Sequence, residues 1–268
     1  MNAPDANATA EPLLLTRASA GVVHLTLNRP QQFNALSEQL LAQLAAELER
    51  IASDRSARVV VIGGTGKAFC AGHDLKQMRA NPSLEYYQRL FADCARIMRR
   101  IQTLPQPVIA RVHGIATAAG CQLVAMCDLA VAADGARFAV SGINAGLFCS
   151  SPSVGLSRNV GRKQAFEMLV TGEFIDAPTA LARGLVNRVV ALPDLDRAID
   201  QLAATIVAKP ALAVAMGKEL FYRQIEMGTE AAYQLATHTM ACNMIDEVAQ
   251  EGVDAFISKR APNWPPPR

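Results

Sequence analysis

The 268-residue sequence predicts an α/β fold with a helical C-terminal part. Three observations lead to this prediction. Apolar runs at 59–62 and 108–112 have the β-branched composition of buried strands. Glycine-containing turns follow each run and lead into helices, and from residue 195 onward apolar residues recur with helical spacing. The apolar share of 51% with only 5% aromatic residues is typical of α/β enzymes.

Composition limits the classes of function and the location. The formal net charge of +2 favours neither nucleic acid nor an anionic membrane surface as a partner. No apolar run approaches the roughly 20 residues that span a bilayer. The six cysteines form no CxxC pair and are expected to be reduced core thiols. The first residues carry neither a basic nor an apolar signal region, so a cytoplasmic protein with a disordered tail is expected.

The elements follow from local patterns. Alternating apolar residues around Ala20-Gly21 indicate an antiparallel hairpin, and Ser37 is a good N-cap for the helix that follows. Asp74 is placed to cap another helix. The predicted strands are 13–16, 22–27, 59–62, 108–112, 128–132, 137–141 and 185–190. The predicted helices are 38–52, 84–104, a segment ending at 127, a short one after Pro152, 162–170, 177–183, 194–207, 211–226, 229–245 and 247–257. Residues 142–161 are otherwise expected to form a loop.

Two small-residue turns follow strands and offer backbone N–H groups to a ligand. The first is Ala71-Gly72-His73-Asp74, and the second is Ala118-Ala119-Gly120. Neither belongs to a nucleotide motif. Gly66-Lys67 is followed by Ala68 where a phosphate-binding loop needs Ser or Thr, and Phe69 stands where a dinucleotide fingerprint needs its third glycine.

Three stretches resemble one family in the correct order. They are GKAFCAGHDL, HGIATAAGCQLVAMCDLAVAA and TGEFIDAPTALARGLVNRVV. They are similar to the enoyl-CoA hydratase/isomerase (crotonase) superfamily, and the likeness covers nearly the whole chain. The resemblance implies a spiral of repeated ββα units over residues 13–193, after a tail of residues 1–12. It also implies a C-terminal helical lobe over 194–268 that forms a homotrimer or a dimer of trimers.

The resemblance implies an acyl-CoA ligand, with coenzyme A as part of the substrate and no separate cofactor or metal. In this family two backbone N–H groups form an oxyanion hole for the thioester carbonyl, and here they match His73 and Ala119. The ring of His73 is a further candidate for proton transfer. Arg29 follows a family-like LNRP segment and either meets a phosphate or lies in solvent. The expected coenzyme A contacts are Arg29, Ala71, Gly72, His73, Asp74, Leu75, Phe256 and Lys259, the last two near a neighbouring subunit's site.

The two glutamates that hydratases of this family use are not in their expected places. Gln122 occupies the first position and Gly142 the second. Three accounts stay open. The chain acts on enoyl- or acyl-CoA with an unidentified acid or base; it runs another thioester reaction, such as isomerisation or hydrolysis; or it binds acyl-CoA without catalysis. Polar candidates in the same loops are Ser141, Asn144, Cys149, Ser150 and Ser151. The acids Asp74, Asp128, Glu173 and Asp176 are expected to be caps and turn residues.

Overall fold

The structure is a computed structural model that describes residues 12–265. The predicted disordered tail, residues 1–12, lies outside the described residues except for Pro12. In the described chain the strands are β1 (Leu14–Ser19), β2 (Val22–Leu27), β3 (Val59–Gly64), β4 (Ala68–Cys70), β5 (Val108–Val112), β6 (Ile115–Thr117), β7 (Leu129–Ala133), β8 (Arg137–Ala139), β9 (Ile175–Asp176) and β10 (Arg188–Val190).

Helices fill the intervals between the strands and form the C-terminal part. They are α1 (Glu38–Ala52), α2 (Leu75–Ala80), α3 (Leu84–Thr103), α4 (Ala119–Met126), α5 (Ser150–Asn159), α6 (Arg162–Thr171), α7 (Ala177–Ala182), α8 (Leu195–Val207), α9 (Ala211–Gln224), α10 (Thr229–Ile245) and α11 (Glu247–Ile257). Short 3-10 turns occur at Pro30–Gln32, Ser141–Ala145 and Leu192–Asp194.

The described strands form two sheets. One has the strand order β1-β2-β3-β5-β7-β10, parallel throughout except for the β1–β2 hairpin. The other has the order β4-β6-β8-β9, with only β9 antiparallel. Successive pairs β3–β4, β5–β6 and β7–β8 each give one strand to each sheet before the chain enters a helix. This repetition is the predicted spiral of ββα units, which is confirmed.

Strand β3 shows why its sequence is a continuous apolar run. Val60 and Ile62 belong to the main core with α1 and α3, whereas Val59 and Val61 pack on the other face against Leu195 and its helix α8. A parallel strand covered on both faces needs apolar residues at every position. The strand also continues through Gly63 and Gly64, so the predicted strand end at residue 62, with a glycine-containing turn directly after it, is wrong. The pairing with β2 extends to that end, with Leu27 opposite Gly64.

The segment 142–161 is more ordered than its sequence suggested. Helix α5 begins at Ser150, before Pro152 instead of after it, and continues for ten residues. Proline fits there because the first-turn N–H groups of a helix have no intrahelical partner. Glycine 155 packs against Met126 of α4, which lets the two helices approach closely.

The C-terminal helices are joined to the core by a buried polar cluster. Lys218 of α9 is 9% exposed and donates to Asp128 Oδ2 at 2.6 Å, to Ile101 O at 2.8 Å and to Gln106 O at 2.9 Å. Asp128 also accepts from Val108 N at 2.6 Å and from the Tyr222 hydroxyl at 2.7 Å. Asp128 was expected to be a cap or turn residue. It instead anchors the helical lobe to the core.

Burial shifts the pKa values in this cluster in opposite directions. It raises the pKa of Asp128 and lowers the pKa of Lys218, and the ion pair and hydrogen bonds oppose both shifts.

Among the described helices, none alone has the length and hydropathy of a membrane span. The segments Leu192–Val207 and Ala211–Gln224 reach that length and hydropathy only when taken together, and they are bent by 102° at the break between them.

Candidate functional site

The loop that carries His73 is held by the segment before α1. Leu36 N donates to Gly72 O at 2.8 Å, and Asp74 N donates to Leu36 O at 3.3 Å. Leu36 and His73 lie opposite each other in this parallel bridge. Because Leu36 bonds to the residues on either side of His73, the N–H of His73 itself points away from Leu36. This N–H makes no hydrogen bond to any acceptor in residues 12–265.

Asn34, which was not among the candidate site residues, fixes this arrangement. The residue is fully buried and has a positive φ of 55°. Its Nδ2 donates to Thr65 O and to Ala68 O, both at 2.8 Å, and its Oδ1 accepts from Arg29 N at 2.8 Å. One side chain thus satisfies two carbonyls where β3 turns into β4, and also the N–H of Arg29. Asparagine tolerates a left-handed backbone better than most residues, which suits it to this position.

The second loop places Ala119 at the start of α4. Its N–H is one of the first-turn donors without an intrahelical partner, and no acceptor for it occurs in the described chain. Ala118, just before it, has φ 50° and ψ −122°, a conformation that costs a residue with a Cβ on the order of 1–3 kcal/mol. Gly120 is required because a Cβ there would lie 2.1 Å from Cys70 O.

The two loops touch at Gly72. This glycine has φ +92°, and a Cβ on it would lie 2.9 Å from Ala118 Cβ and 3.2 Å from Ala119 N. The two free N–H groups, of His73 and Ala119, therefore belong to backbone segments in direct contact. Two adjacent donors, one at a helix N-terminus, can stabilise a partly negative oxygen where they converge. The structure thus brings together the two residues that the sequence singled out.

The ring of His73 lies in an apolar setting. It packs edge-on against Phe91, with ring centroids 5.5 Å apart and planes at 68°. Its Nδ1 is buried without a hydrogen-bond partner among the described residues. Burial lowers the pKa of His73 to about 4, because the charged imidazolium would lose its hydration. The ring is therefore neutral at pH 7 and is a poor proton donor there.

Gln122 lies on the same helix as the Ala119 donor. It follows Ala119 by three residues, so the two share one face of α4. The side chain is 4% exposed, and its Oε1 has no partner in the described chain. A buried amide oxygen without a partner is costly, on the order of 1–3 kcal/mol. A ligand or a bound water that donates to Oε1 would remove this cost.

Gly142 is enclosed instead of open. A Cβ at this position would lie 2.6 Å from Leu147 O and 2.8 Å from Cys149 Sγ. The preceding residue, Ser141, places its hydroxyl 2.7 Å from the Thr117 hydroxyl. Thr117 was missed in the sequence, although it directly precedes the Ala118-Ala119 turn. This hydroxyl pair links the loop of Gly142 to the loop of the second donor.

Of the other polar candidates of these loops, Ser150 and Asn144 form weak hydrogen bonds and Cys149 is a poor nucleophile. Ser150 and Asn144 donate weakly to Phe148 O and Gly172 O, at 3.4 Å each. Burial raises the pKa of the Cys149 thiol, which disfavours it as a nucleophile at neutral pH. All six cysteines are free thiols, and only Cys242 is exposed. Residues 12–265 hold no group of three or more His, Cys, Asp or Glu side chains placed to bind a metal ion.

Arg29 and Asp74 form an ion pair beneath the first loop. The Arg29 guanidinium donates to Asp74 Oδ2 at 3.0 Å and to Ala35 O at 2.5 Å, and its side chain is only 14% exposed. The solvent-exposed alternative for Arg29 is therefore wrong. Asp74 also caps α2 by accepting from Lys76 N and Gln77 N, as predicted. The hydrogen bonds from Arg29 and from the helix N–H groups hold the pKa of Asp74 below its usual value despite its burial.

The remaining expected coenzyme A contacts lie at two separate surfaces. Leu75, the first residue of α2, is 60% exposed beside the His73 loop, whereas Ala71 is fixed there by its N–H bond to Phe33 O at 3.0 Å. Phe256 is 85% exposed at the end of α11, and Lys259 follows it with φ 51°. Within one described chain, no hydrogen bond or ion pair joins Phe256 or Lys259 to the His73 loop.

Known proteins match the chain over almost its full length. The family model described as enoyl-CoA hydratase/isomerase matches residues 17–266. The crystal structure of an enoyl-CoA hydratase from Mycobacterium smegmatis is 67% identical, with a TM-score of 0.94, and the match covers 95% of this chain and 99% of that one. The crystal structure of human enoyl-CoA hydratase domain-containing protein 3 is 40% identical, with a TM-score of 0.92 and coverage of 94% and 100%.

A curated relative corrects one expectation. Enoyl-CoA hydratase domain-containing protein 3 of Xenopus laevis is 45% identical over 253 residues, covering 94% of this chain and 86% of the relative. This protein and its rat, mouse, human and zebrafish counterparts are named mitochondrial. The cytoplasmic location expected from the sequence is wrong by this comparison, because a missing signal pattern in the first residues carries little information on location. The family match and the two-sheet spiral agree, and the chain belongs to the enoyl-CoA hydratase/isomerase family.

Proposed function

We propose that the chain binds acyl-CoA thioesters and stabilises an enolate with the N–H groups of His73 and Ala119. The observation that supports this most directly is the contact at Gly72, which brings the two loops together with both N–H groups free of protein acceptors. Such donors bind the developing oxyanion more strongly than the neutral carbonyl, and this difference lowers the reaction barrier. The family supports an acyl-CoA ligand.

Gln122 takes the place of an acid in this proposal. Its unpartnered Oε1 is an acceptor that orients a water or a substrate N–H, but an amide does not transfer protons at neutral pH. General acid–base groups contribute about 10²–10⁴-fold each. With Gln122 and Gly142 at the two acid positions, hydration of crotonyl-CoA is expected to be at least about 10⁴-fold slower than in a hydratase with both acids.

One set of assays with butyryl-CoA in D₂O separates enolate formation, hydrolysis and binding without reaction. Loss of the α-proton signal by NMR reports an enolate. Release of free coenzyme A thiol reports hydrolysis instead, which is the thioesterase alternative. Saturable binding with neither event reports the non-catalytic alternative. An isomerase is tested separately, by the conversion of 3-enoyl-CoA to the conjugated 2-enoyl form.

Binding itself is tested with Gly72→Ala. The new methyl would press on Ala118 and on the Ala119 N–H, so butyryl-CoA affinity is expected to fall at least tenfold by calorimetry. Gly135→Ala is the matched control, because a Cβ there meets nothing within 4 Å. Equal affinity in both variants and in the unmodified chain would contradict the proposed site.

The C-terminal helices support a proposal on assembly. The large apolar side chains of helices α9–α11 that are more than half exposed in one chain are Phe221, Tyr233, Met240, Ile245, Phe256 and Ile257. So much apolar surface is usual at interfaces and rare on monomers. We therefore propose a homotrimer or a dimer of trimers, in which Phe256 and Lys259 serve a neighbouring subunit's coenzyme A site. A monomer by light scattering at micromolar concentration would contradict this assembly.

A further inference from the structure

A histidine and a cysteine form an exposed pair on helix α10. They are His238 and Cys242, four residues apart, so they share one face of the helix. The ring Nε2 of His238 lies 3.6 Å from Cys242 Sγ. Both side chains are exposed, whereas the other five cysteines of the chain are buried. The pair therefore presents to solvent a thiol and an imidazole, which are two common ligands of zinc.

The spacing of these two atoms is that of two ligands on one tetrahedral ion. Zinc binds imidazole nitrogen at about 2.0–2.1 Å and thiolate sulfur at about 2.3 Å. With a tetrahedral angle between these bonds, nitrogen and sulfur lie about 3.6 Å apart, in agreement with the observed 3.6 Å. A linear arrangement with the same bond lengths would place them about 4.4 Å apart. The spacing therefore favours tetrahedral Zn²⁺ over an ion with linear two-coordinate geometry.

The pair borders a cavity of about 200 Å³ between α9 and α10. Met216 and Leu220 line it from α9, and Leu235 and Thr239 line it from α10. A water molecule takes about 30 Å³ in the liquid, so the cavity has room for an ion and for the two waters that would complete a tetrahedral shell. The lining residues belong to these two helices of one chain, so no partner subunit is needed to form the site.

The charges that line the cavity do not oppose a cation. Glu219 and Arg223 form an ion pair with each other at 3.0 Å, so their charges cancel. The thiolate of Cys242 then supplies the negative charge that the ion meets. Because the described chain places no third His, Cys, Asp or Glu with this pair to hold a metal ion, binding is expected to be weaker than at structural zinc sites with four protein ligands.

Helix α10 is the element that a bound ion would affect. None of its 17 residues is buried, and its N-terminus has no side-chain cap. A segment with few buried contacts opens locally at a low free-energy cost. An ion held by residues four apart joins two successive turns and has to dissociate before those turns open. Binding would therefore stabilise α10 as a helix.

We propose that His238 Nε2 and Cys242 Sγ bind one Zn²⁺ ion per chain, with water in the remaining positions, and that this ion stabilises α10. The Zn–S bond forms as the thiol proton passes to solvent, and the Zn–N bond forms at Nε2 while Nδ1 keeps the ring proton. No electron is transferred. The site shares no residue with the proposed acyl-CoA site, so failure of one proposal leaves the other standing.

The test is a titration of the full, untagged chain with Co²⁺, which takes the place of zinc in tetrahedral sites and gives a charge-transfer band when a thiolate binds it. We expect a saturable band with one Co²⁺ per chain, and added Zn²⁺ should remove it. Cys242→Ser should abolish the band. His238→Ala should weaken Co²⁺ binding at least about tenfold, the lower end of the cost of disturbing the groups around a bound metal.

The matched control moves the thiol and keeps it exposed. Cys242→Ser combined with Met244→Cys places it six residues from His238, on a different face of α10, at a position that is 48% exposed. This variant should bind Co²⁺ no more tightly than His238→Ala. No band in the unmodified chain, or equal affinity in the unmodified chain, in folded His238→Ala and in the moved-thiol variant, would overturn the site.

Hydrogen exchange tests the effect on the helix. With Zn²⁺ at 100 times Kd, the amides around the pair should exchange up to about 100-fold more slowly in the unmodified chain, because opening requires the ion to dissociate. His238→Ala at the same Zn²⁺ concentration should show a smaller change. Unaltered exchange in α10 when Zn²⁺ is bound would overturn the stabilising role.

Discussion

Lys218→Met is expected to destabilise the whole chain by about 3–5 kcal/mol, the usual cost of leaving one member of a buried ion pair alone. Lys218 bonds to Asp128 at 2.6 Å, and their side chains are 6% and 13% exposed. Methionine fills a similar volume but leaves the Asp128 carboxylate and two buried carbonyls, of Ile101 and Gln106, without this donor. The loss is therefore mainly electrostatic and is not caused by a cavity.

The measurement is urea unfolding followed by circular dichroism. Arg223→Met is the matched control on the same helix, because the ion pair of Arg223 with Glu219 is exposed and such pairs are worth about 0–1 kcal/mol. Asp128→Asn combined with Lys218→Met should recover part of the loss, since Asn still accepts from Val108 N without a buried charge. A loss below about 1 kcal/mol in Lys218→Met would refute the anchoring role of the cluster.

Three further predictions concern the donor loops. Burial lowers the pKa of His73 from 6.5 to about 4, so burial of the neutral ring favours folding above pH 6.5, and about 3 kcal/mol of this is lost as the pH falls to 4. His73→Ala should therefore flatten urea-derived stability over that interval, and an unchanged pH dependence would contradict the lowered pKa. Ala118→Gly should raise the unfolding free energy by about 1 kcal/mol, because glycine relieves the strain of the positive φ. Ala204→Gly in α8 is the control and should lower the unfolding free energy by a similar amount. A lower unfolding free energy in Ala118→Gly would contradict the strain. Gly142→Glu should be destabilising in thermal unfolding and should not restore hydration, because its Cβ would meet Leu147 O at 2.6 Å; a stable, active variant would show that this loop opens.

Much of the fold could be predicted because it depends on local chemistry. The run 59–62 indicated a strand buried on both faces, and Ser37 and Asp74 cap their helices as expected. The two donor residues, His73 and Ala119, were predicted because the small-residue turns that contain them resemble those of the family. The contact between Gly72 and Ala119 then follows from the parallel pairing of β4 and β6, which sets the ends of the two strands side by side.

The features that could not be predicted depend on residues distant in sequence. Asp128 and Lys218 are 90 residues apart, and nothing local to either residue indicates the partner. The same holds for Thr117 and Ser141, whose hydroxyls meet only because β6 pairs with β8. The enclosure of Gly142 likewise depends on how the 3-10 turn folds back onto Leu147 and Cys149. Which polar side chains meet in the core depends on how distant segments pack, and a single sequence does not show that packing.

The most direct test of the proposed oxyanion hole is a crystal structure of the protein with butyryl-CoA. The thioester oxygen is expected within about 2.7–3.1 Å of both His73 N and Ala119 N, the range of a donor that stabilises an oxyanion. Gln122 Oε1 should then lie within hydrogen-bond distance of a water or of the ligand. A thioester oxygen bound elsewhere, or in contact with only one of the two N–H groups, would contradict the proposed site.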